Sequence, residues 1–223
     1  ADVNLVRLPD RLGFVEAAGM GCRVTTAWRA LTDRAGIRPG EWLAVHGAGG
    51  VGLSAVALAG ALGARTVAVD VSPDALAKAI ELGAEAVVDA GDAGDVGAVV
   101  RDLTRGGVDV SIDALGARTT FENSLRSLRE LGRHVQVGMP VGRDAVVPLP
   151  LLDLVYARQL TLHGTRGLGA AGFASLLDLV DAGRFDPGTL VGRRIPLSAV
   201  GRALAAMDGV QPPGITVIDD TQS

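Results

Sequence analysis

The sequence predicts an α/β fold, a doubly wound parallel sheet of six strands with helices on both faces, and three observations predict it. From Glu41 onward, short β-branched runs alternate with Ala- and Leu-rich stretches of helical length, the pattern of strands joined by crossover helices. A glycine run, Gly47-Ala48-Gly49-Gly50-Val51-Gly52, sits where the first such strand meets the first such helix. An acid, Asp70, closes the second strand 18 residues after Gly52.

Strands are expected near 41–46, 65–70, 85–88, 108–113, 132–138 and 160–164. Between them the spacing predicts helices near 50–63, 73–82, 94–104, 118–130 and 150–157. Ser72-Pro73-Asp74 supplies an N-cap, a proline suited to the first helical position and a first-turn acid. Ahead of the sheet, Phe14 to Ala35 carries few breakers after Gly21 and reads as one helical approach, closed by Gly36 and the turn Arg38-Pro39-Gly40. After Gly164 a glycine-rich loop leads to a helix near 170–183, the segment Gly192 to Pro196, a helix near 198–208 and a last strand Ile215 to Ile218. The two ends read as parts of a second unit, most of it absent, which divides the chain into 1–21, 22–165 and 166–223.

Composition narrows the function. With 223 residues, 48% of them hydrophobic, and one cysteine, the chain can bury a core and cannot form an internal disulfide. Its 31 glycines show no G-X-Y period, and only 10 prolines accompany them, so collagen and low-complexity classes fail. A net charge of −4 lacks the basic excess that nucleic-acid phosphates require. Val51 to Ala64, the longest nearly apolar run, has 14 residues interrupted by Ser54 and three glycines, short of the roughly 20 that span a bilayer. The first residues lack a basic region followed by an apolar run, so no secretory signal, no membrane partner and a cytoplasmic location are expected.

The glycine run fits G-x-G-x-x-G in the strand-to-helix context that gives this pattern meaning in a Rossmann fold. Gly47 allows the tight turn, Gly49 lets a pyrophosphate approach the backbone, and Gly52 lets helix pack close on strand. Gly50 and Val51 open the helix, whose N-terminus carries partial positive charge. Asp70 is placed to accept hydrogen bonds from an adenosine ribose, and Ser72 already fills the capping role. A 2′-phosphate would meet that carboxylate with no Arg or Lys among residues 71–75, so NAD is expected over NADP. A ligand-free turn, or an S-adenosylmethionine methyltransferase, would share the glycines and the later acid.

The chain resembles the zinc-type alcohol dehydrogenases of the medium-chain dehydrogenase/reductase superfamily, over their C-terminal half. The resemblance rests on Phe14 to Cys22 followed by Thr25-Thr26-Ala27-Trp28-Arg29-Ala30-Leu31, then Gly47 to Gly52 with Asp70. Gly107-Val108-Asp109, Asp113-Ala114-Leu115-Gly116, Gly132 to Gly138, Gly192 to Leu197 and Gly214 to Ile218 follow in family order. The resemblance implies hydride transfer between an alcohol or aldehyde and NAD(H), with a zinc ion polarising the alcohol oxygen in the complete enzyme. It implies a cofactor domain flanked by remnants of a GroES-like catalytic domain.

By the same resemblance, Cys22 matches the last of three catalytic zinc ligands and Thr26 a residue beside the nicotinamide. Leu115, Val137, Gly138 and Met139 match the wall and backbone that hold the rest of the cofactor. The family's other zinc ligands and its proton relay fall in a region preceding Ala1, so no catalytic residue is assigned in this chain. His46, His134 and His163 lie on expected strands without metal-ligand spacing and read as strand residues. By the resemblance Arg166 would face the active-site cleft, where it could orient substrate, but it reads better as a solvated loop arginine. Thr161 to Thr165 would pair with its copy to make a homodimer. Two other classes share these features: a non-catalytic NAD(H)-binding module, and a zinc-free quinone or enoyl reductase that needs no cysteine at position 22.

Overall fold

The computed structural model describes residues 5–209 and 212–220. The first four residues of the expected lead-in, and 210, 211 and 221–223 of the expected C-terminal return, lie outside them.

The helical approach forms as one continuous segment over 14–34. Its α-helical turns α1 (Phe14–Gly19) and α2 (Thr25–Arg29) alternate with wider turns at Met20–Val24 and Ala30–Arg34. Gly36, at φ +55°, ends it by donating to Thr32 O, while Ile37 N–H donates to Leu31 O. Both bonds satisfy carbonyls the helix leaves open.

β1 (Trp42–His46), β2 (Arg65–Asp70), β3 (Ala86–Asp89), β4 (Val108–Asp113), β5 (Leu128–Gln136) and β6 (Thr161–Gly164) form one parallel sheet in the order β3-β2-β1-β4-β5-β6. The crossovers carry α3 (Gly50–Ala61), α4 (Pro73–Glu81), α5 (Val96–Leu103) and α6 (Arg118–Ser127). Strand order reverses between β1 and β4, which opens a crevice at the carboxyl ends of those two strands.

Alternation along β1 splits the core. Leu43 and Val45 face a layer with Leu53, Val56 and Leu58 of α3, whereas Ala44 shares the opposite layer with Val67, Val100 and Leu125. Ser72 caps α4 by accepting from Ala75 N, as its sequence announces, and Asp95 caps α5 by accepting from Ala98 N.

β5 begins at Leu128, four residues before the expected strand, and α6 stops at Ser127 instead of continuing to 130. Leu131 sits at φ +60° and the β4–β5 register slips between Val108 and Val110. Arg129 pairs with Asp109 and Arg158 donates to Leu128 O, so tertiary partners draw this stretch into the sheet. The expected helix near 150–157 is a single wide turn, Leu151–Tyr156, preceded by Pro148 and Pro150.

Beyond the sheet come α7 (Phe173–Asp181), β7 (Val191–Ile195), α8 (Val200–Ala205) and β8 (Ile215–Ile218). β7 and β8 pair parallel in a separate two-stranded sheet. The expected helix near 198–208 divides into α8 and flanking tighter turns. The N- and C-terminal segments meet, for Arg194 reaches Glu16 at 3.3 Å and Gly19 packs against Val191 and Ile215.

Candidate functional site

The carboxyl ends of β1, β2, β4 and β5 bring most of the sequence-predicted residues together. Gly47, at φ +96°, turns the chain out of β1, and its N–H donates to Val69 O of β2 at 2.8 Å. Gly52 faces that turn, where an added methyl would overlap the Gly47 carbonyl oxygen. Nothing within 4 Å would oppose a Cβ on Gly49, so its backbone borders open space at the mouth of the crevice. Gly50 and Val51 form the first turn of α3 and present its unpaired N–H groups there.

Asp70 does more than its spacing suggests. One carboxylate oxygen accepts from Ala48 N at 2.6 Å, binding the glycine turn to β2, and the other accepts from Val71 N and Ser72 N. A carboxylate offers about four acceptor directions, so one remains for an incoming hydroxyl. Val71 and Ser72 bring no cation, and Lys78 on the following helix is occupied by Glu81 at 2.9 Å.

On the other side of β1, the loops after β4 and β5 interlock. Gly138 lies so close to Leu115 and Gly116 that a side chain there would strike their backbone, and Gly116 sits at φ +91° against Gly138 and Met139. Leu115 also meets Gly47, so the three loops converge. The Leu115 and Met139 side chains are exposed over the crevice mouth at 61% and 77%, and Val137 is half-buried. Beneath them Asp113 is fully buried, one of its oxygens accepting from Leu115 N and Gly116 N at 2.9 Å.

Thr26 is buried in α2, where its hydroxyl accepts from Gly167 N at 3.1 Å. Arg29 reinforces that tie by donating to the Arg166 and Gly167 carbonyls, which holds the loop after β6 against the helical approach. The Arg166 side chain is exposed, in keeping with a loop arginine. Cys22 is free and exposed in the wide turn before α2. Among the described residues no three His, Cys, Asp or Glu side chains converge, so Cys22 offers one thiolate where catalytic zinc takes three protein ligands. The described residues do not by themselves fit a zinc site.

Two residues that sequence reasoning passed over belong to this region. Arg23 lies across Gly50, where a Cβ would fall 2.5 Å from its Cδ and 2.7 Å from its Nε. Among the described residues no carboxylate pairs with this half-buried guanidinium, although it stands at the positive end of α3. Gln136 links β5 to Asp113 and Gly138. Adjacency to Cys22 was the sequence signal for Arg23, and Gln136 lay within the Gly132 to Gly138 motif without a role assigned to its side chain.

The histidines are strand residues, with one difference from expectation. His134 is saturated: Nδ1 lies 3.2 Å and 3.0 Å from the Ser111 and Ser124 hydroxyls, and Nε2 3.2 Å from Gln136 Oε1. His46 bonds only Ser127, at 3.1 Å, leaving its buried Nδ1 without a protein partner among the described residues. Burial pushes His46 down to about 3, helped by the nearby His134. Burial likewise pushes His134 down to about 4, opposed by its bond to Gln136 and by Asp113. Both rings are neutral near pH 7. His163 is half-buried on β6.

Among the described residues no helix is long and apolar enough to cross a membrane. Residues 50–182, more than half of the chain, match the zinc-binding dehydrogenase family. An alcohol dehydrogenase of Geobacillus stearothermophilus is 35% identical over 166 residues, which cover 74% of this chain and 46% of that protein. One of Rhizobium meliloti (strain 1021) is 38% identical, covering 74% of this chain and 47% of the relative. The solved alcohol dehydrogenase TADH from Thermus sp. ATN1 superposes with a TM-score of 0.85 at 32% identity, covering 93% of this chain and 59% of that one. The chain thus spans about half the length of the curated relatives it matches. Sheet order, glycine turn, motif order and these likenesses agree: the chain belongs to the zinc-binding dehydrogenase family.

Proposed function

We propose that the chain is the cofactor-binding part of an oxidoreductase that passes hydride between an alcohol or aldehyde and NAD(H). The observation that carries this reading is the glycine turn tied to Asp70 through Ala48, placed where strand order reverses. When bound, the nicotinamide supplies the hydride acceptor or donor; the chain's own work is to hold and orient it. Gly49, Gly50 and Val51 offer backbone N–H groups to a pyrophosphate, and Arg23 adds a cation that no carboxylate pairs among the described residues. Asp70 accepts the adenosine ribose, while Thr26, Leu115, Val137, Gly138 and Met139 border the other half.

Cys22 is read as one zinc ligand whose companions the described residues do not supply. Metal-supplemented chain should carry well under one equivalent of zinc by elemental analysis. Stoichiometric metal would show that this chain or a second copy completes the site. A non-catalytic nucleotide-binding module would share the glycine turn; family membership and Cys22 favour the dehydrogenase.

Calorimetric titration tests the cofactor assignment. The chain should bind NADH more tightly than NADPH because the Asp70 carboxylate repels a 2′-phosphate. Asp70→Ser should weaken NADH and close the gap by about tenfold, a difference of ~1.4 kcal/mol. Equal affinity for both nucleotides in the unaltered chain would remove Asp70 from the proposed role.

A further inference from the structure

We propose that Gln136 is a positioning residue for the nicotinamide half of the cofactor, acting through Asp113 and Gly138. This rests on the cofactor reading above and assigns to one side chain a task that the glycine motif does not perform. Gln136 stands at the end of β5, beside the strand-order reversal. Its Nε2 donates to Asp113 Oδ2 at 2.9 Å and to Gly138 O at 2.9 Å, and its Oε1 faces His134 Nε2 at 3.2 Å.

That set of partners fixes the amide. Turned over, its oxygen would confront two acceptors, a carboxylate and a carbonyl, so the NH2 group must point toward them. His134 Nε2 then carries the proton, and its Nδ1 is the acceptor, with the hydroxyls of Ser111 and Ser124 both within reach of its one lone pair. The ring is buried at the centre of this network, with Phe121 edge-on at 5.4 Å, and cannot swing away to release Gln136.

Both loops hang from the same point. Asp113 Oδ1 holds Leu115 N and Gly116 N, and Asp113 O accepts from Val137 N at 3.0 Å and Gly138 N at 2.8 Å. Gln136 closes the circuit by joining the second Asp113 oxygen to the Gly138 carbonyl. The adenosine side is built separately, from Asp70, Ala48 and the first turn of α3. With the adenosine ribose at β2, a dinucleotide crossing the β1 turn must lay its nicotinamide half over β4 and β5. Loosening Gln136 should therefore affect that half alone.

The test titrates the whole chain with NADH and with ADP-ribose, which keeps both riboses and the diphosphate but lacks the nicotinamide. Gln136→Met preserves length and removes all three polar bonds. Its NADH affinity should fall at least tenfold while ADP-ribose affinity stays within about twofold. Gln136→Glu, which keeps Oε1 but sets an oxygen against Asp113 and Gly138, should show the same selectivity if the Met variant does not fold. Parallel loss of both ligands, or no loss of either, overturns the proposal. If the unaltered chain binds neither ligand, the cofactor reading itself fails, which is a different result.

Discussion

Gly49 and Gly52 are three residues apart in one turn, yet the structure gives them opposite reasons to be glycine. At Gly52 the helix presses on the Gly47 carbonyl, so Gly52→Ala forces a clash inside the fold and should cost about 1–3 kcal/mol, read as a lowered urea midpoint. At Gly49 a methyl meets open space, so Gly49→Ala should leave the midpoint nearly unchanged and weaken NADH where the phosphate approaches. Equal effects on midpoint and binding in the two variants would contradict this division. Arg23→Gln should lower NADH affinity about tenfold without loss of stability, since the guanidinium has no carboxylate partner among the described residues. The places of the glycines and Asp70 in the fold were legible in the sequence because they follow from local turn chemistry and strand spacing. The contact of Arg23 with Gly50 and the Gln136–Asp113 bond were not, because each joins residues more than 20 apart in sequence, and pattern alone carries no such pairing.

Elements with local punctuation were also the ones legible beforehand. α4 begins where Ser72 and Pro73 say it should, and the helical approach ends at Gly36. The α6–β5 junction resisted because Arg129, Arg158 and the positive φ of Leu131 recruit residues 128–131 into the sheet. Among the described residues β6 pairs only with β5 and ends the sheet, and the turn preceding it exposes Leu151, Leu152 and Tyr156. An open edge beside exposed apolar side chains favours self-association, and a homodimer through β6 is the proposed assembly. Sedimentation equilibrium should give a dimer for the chain and a monomer for Leu152→Asp. Because Leu152 is 69% exposed, the substitution should leave the fold intact. A monomeric unaltered chain would sink the assignment.

The two neutral histidines buried under the crevice make the stability of the whole molecule depend on pH. In the unfolded chain each titrates near 6.5, whereas in the fold His46 is pushed down to about 3 and His134 to about 4. Between those values the unfolded state holds a proton that the folded state refuses, so acid favours unfolding and stability rises with pH. The groups facing them act in both directions. His134 reinforces the neutrality of His46 and His163 that of His134, while the bond to Gln136 and Asp113 oppose it for His134. Stability should therefore be flat above about pH 7 and fall as pH drops through 6.5 toward 4. Each histidine contributes a slope of about 1.4 kcal/mol per pH unit well below 6.5. Urea midpoints taken between pH 5 and 7 isolate this term, since ordinary carboxylates titrate mainly below that window. His46→Asn should halve the slope even if it lowers stability throughout, because it removes one titrating group from both states. An unchanged slope in that variant would mean that the acid sensitivity arises elsewhere, and that the Ser127-bonded ring meets a protonated state the fold can accept.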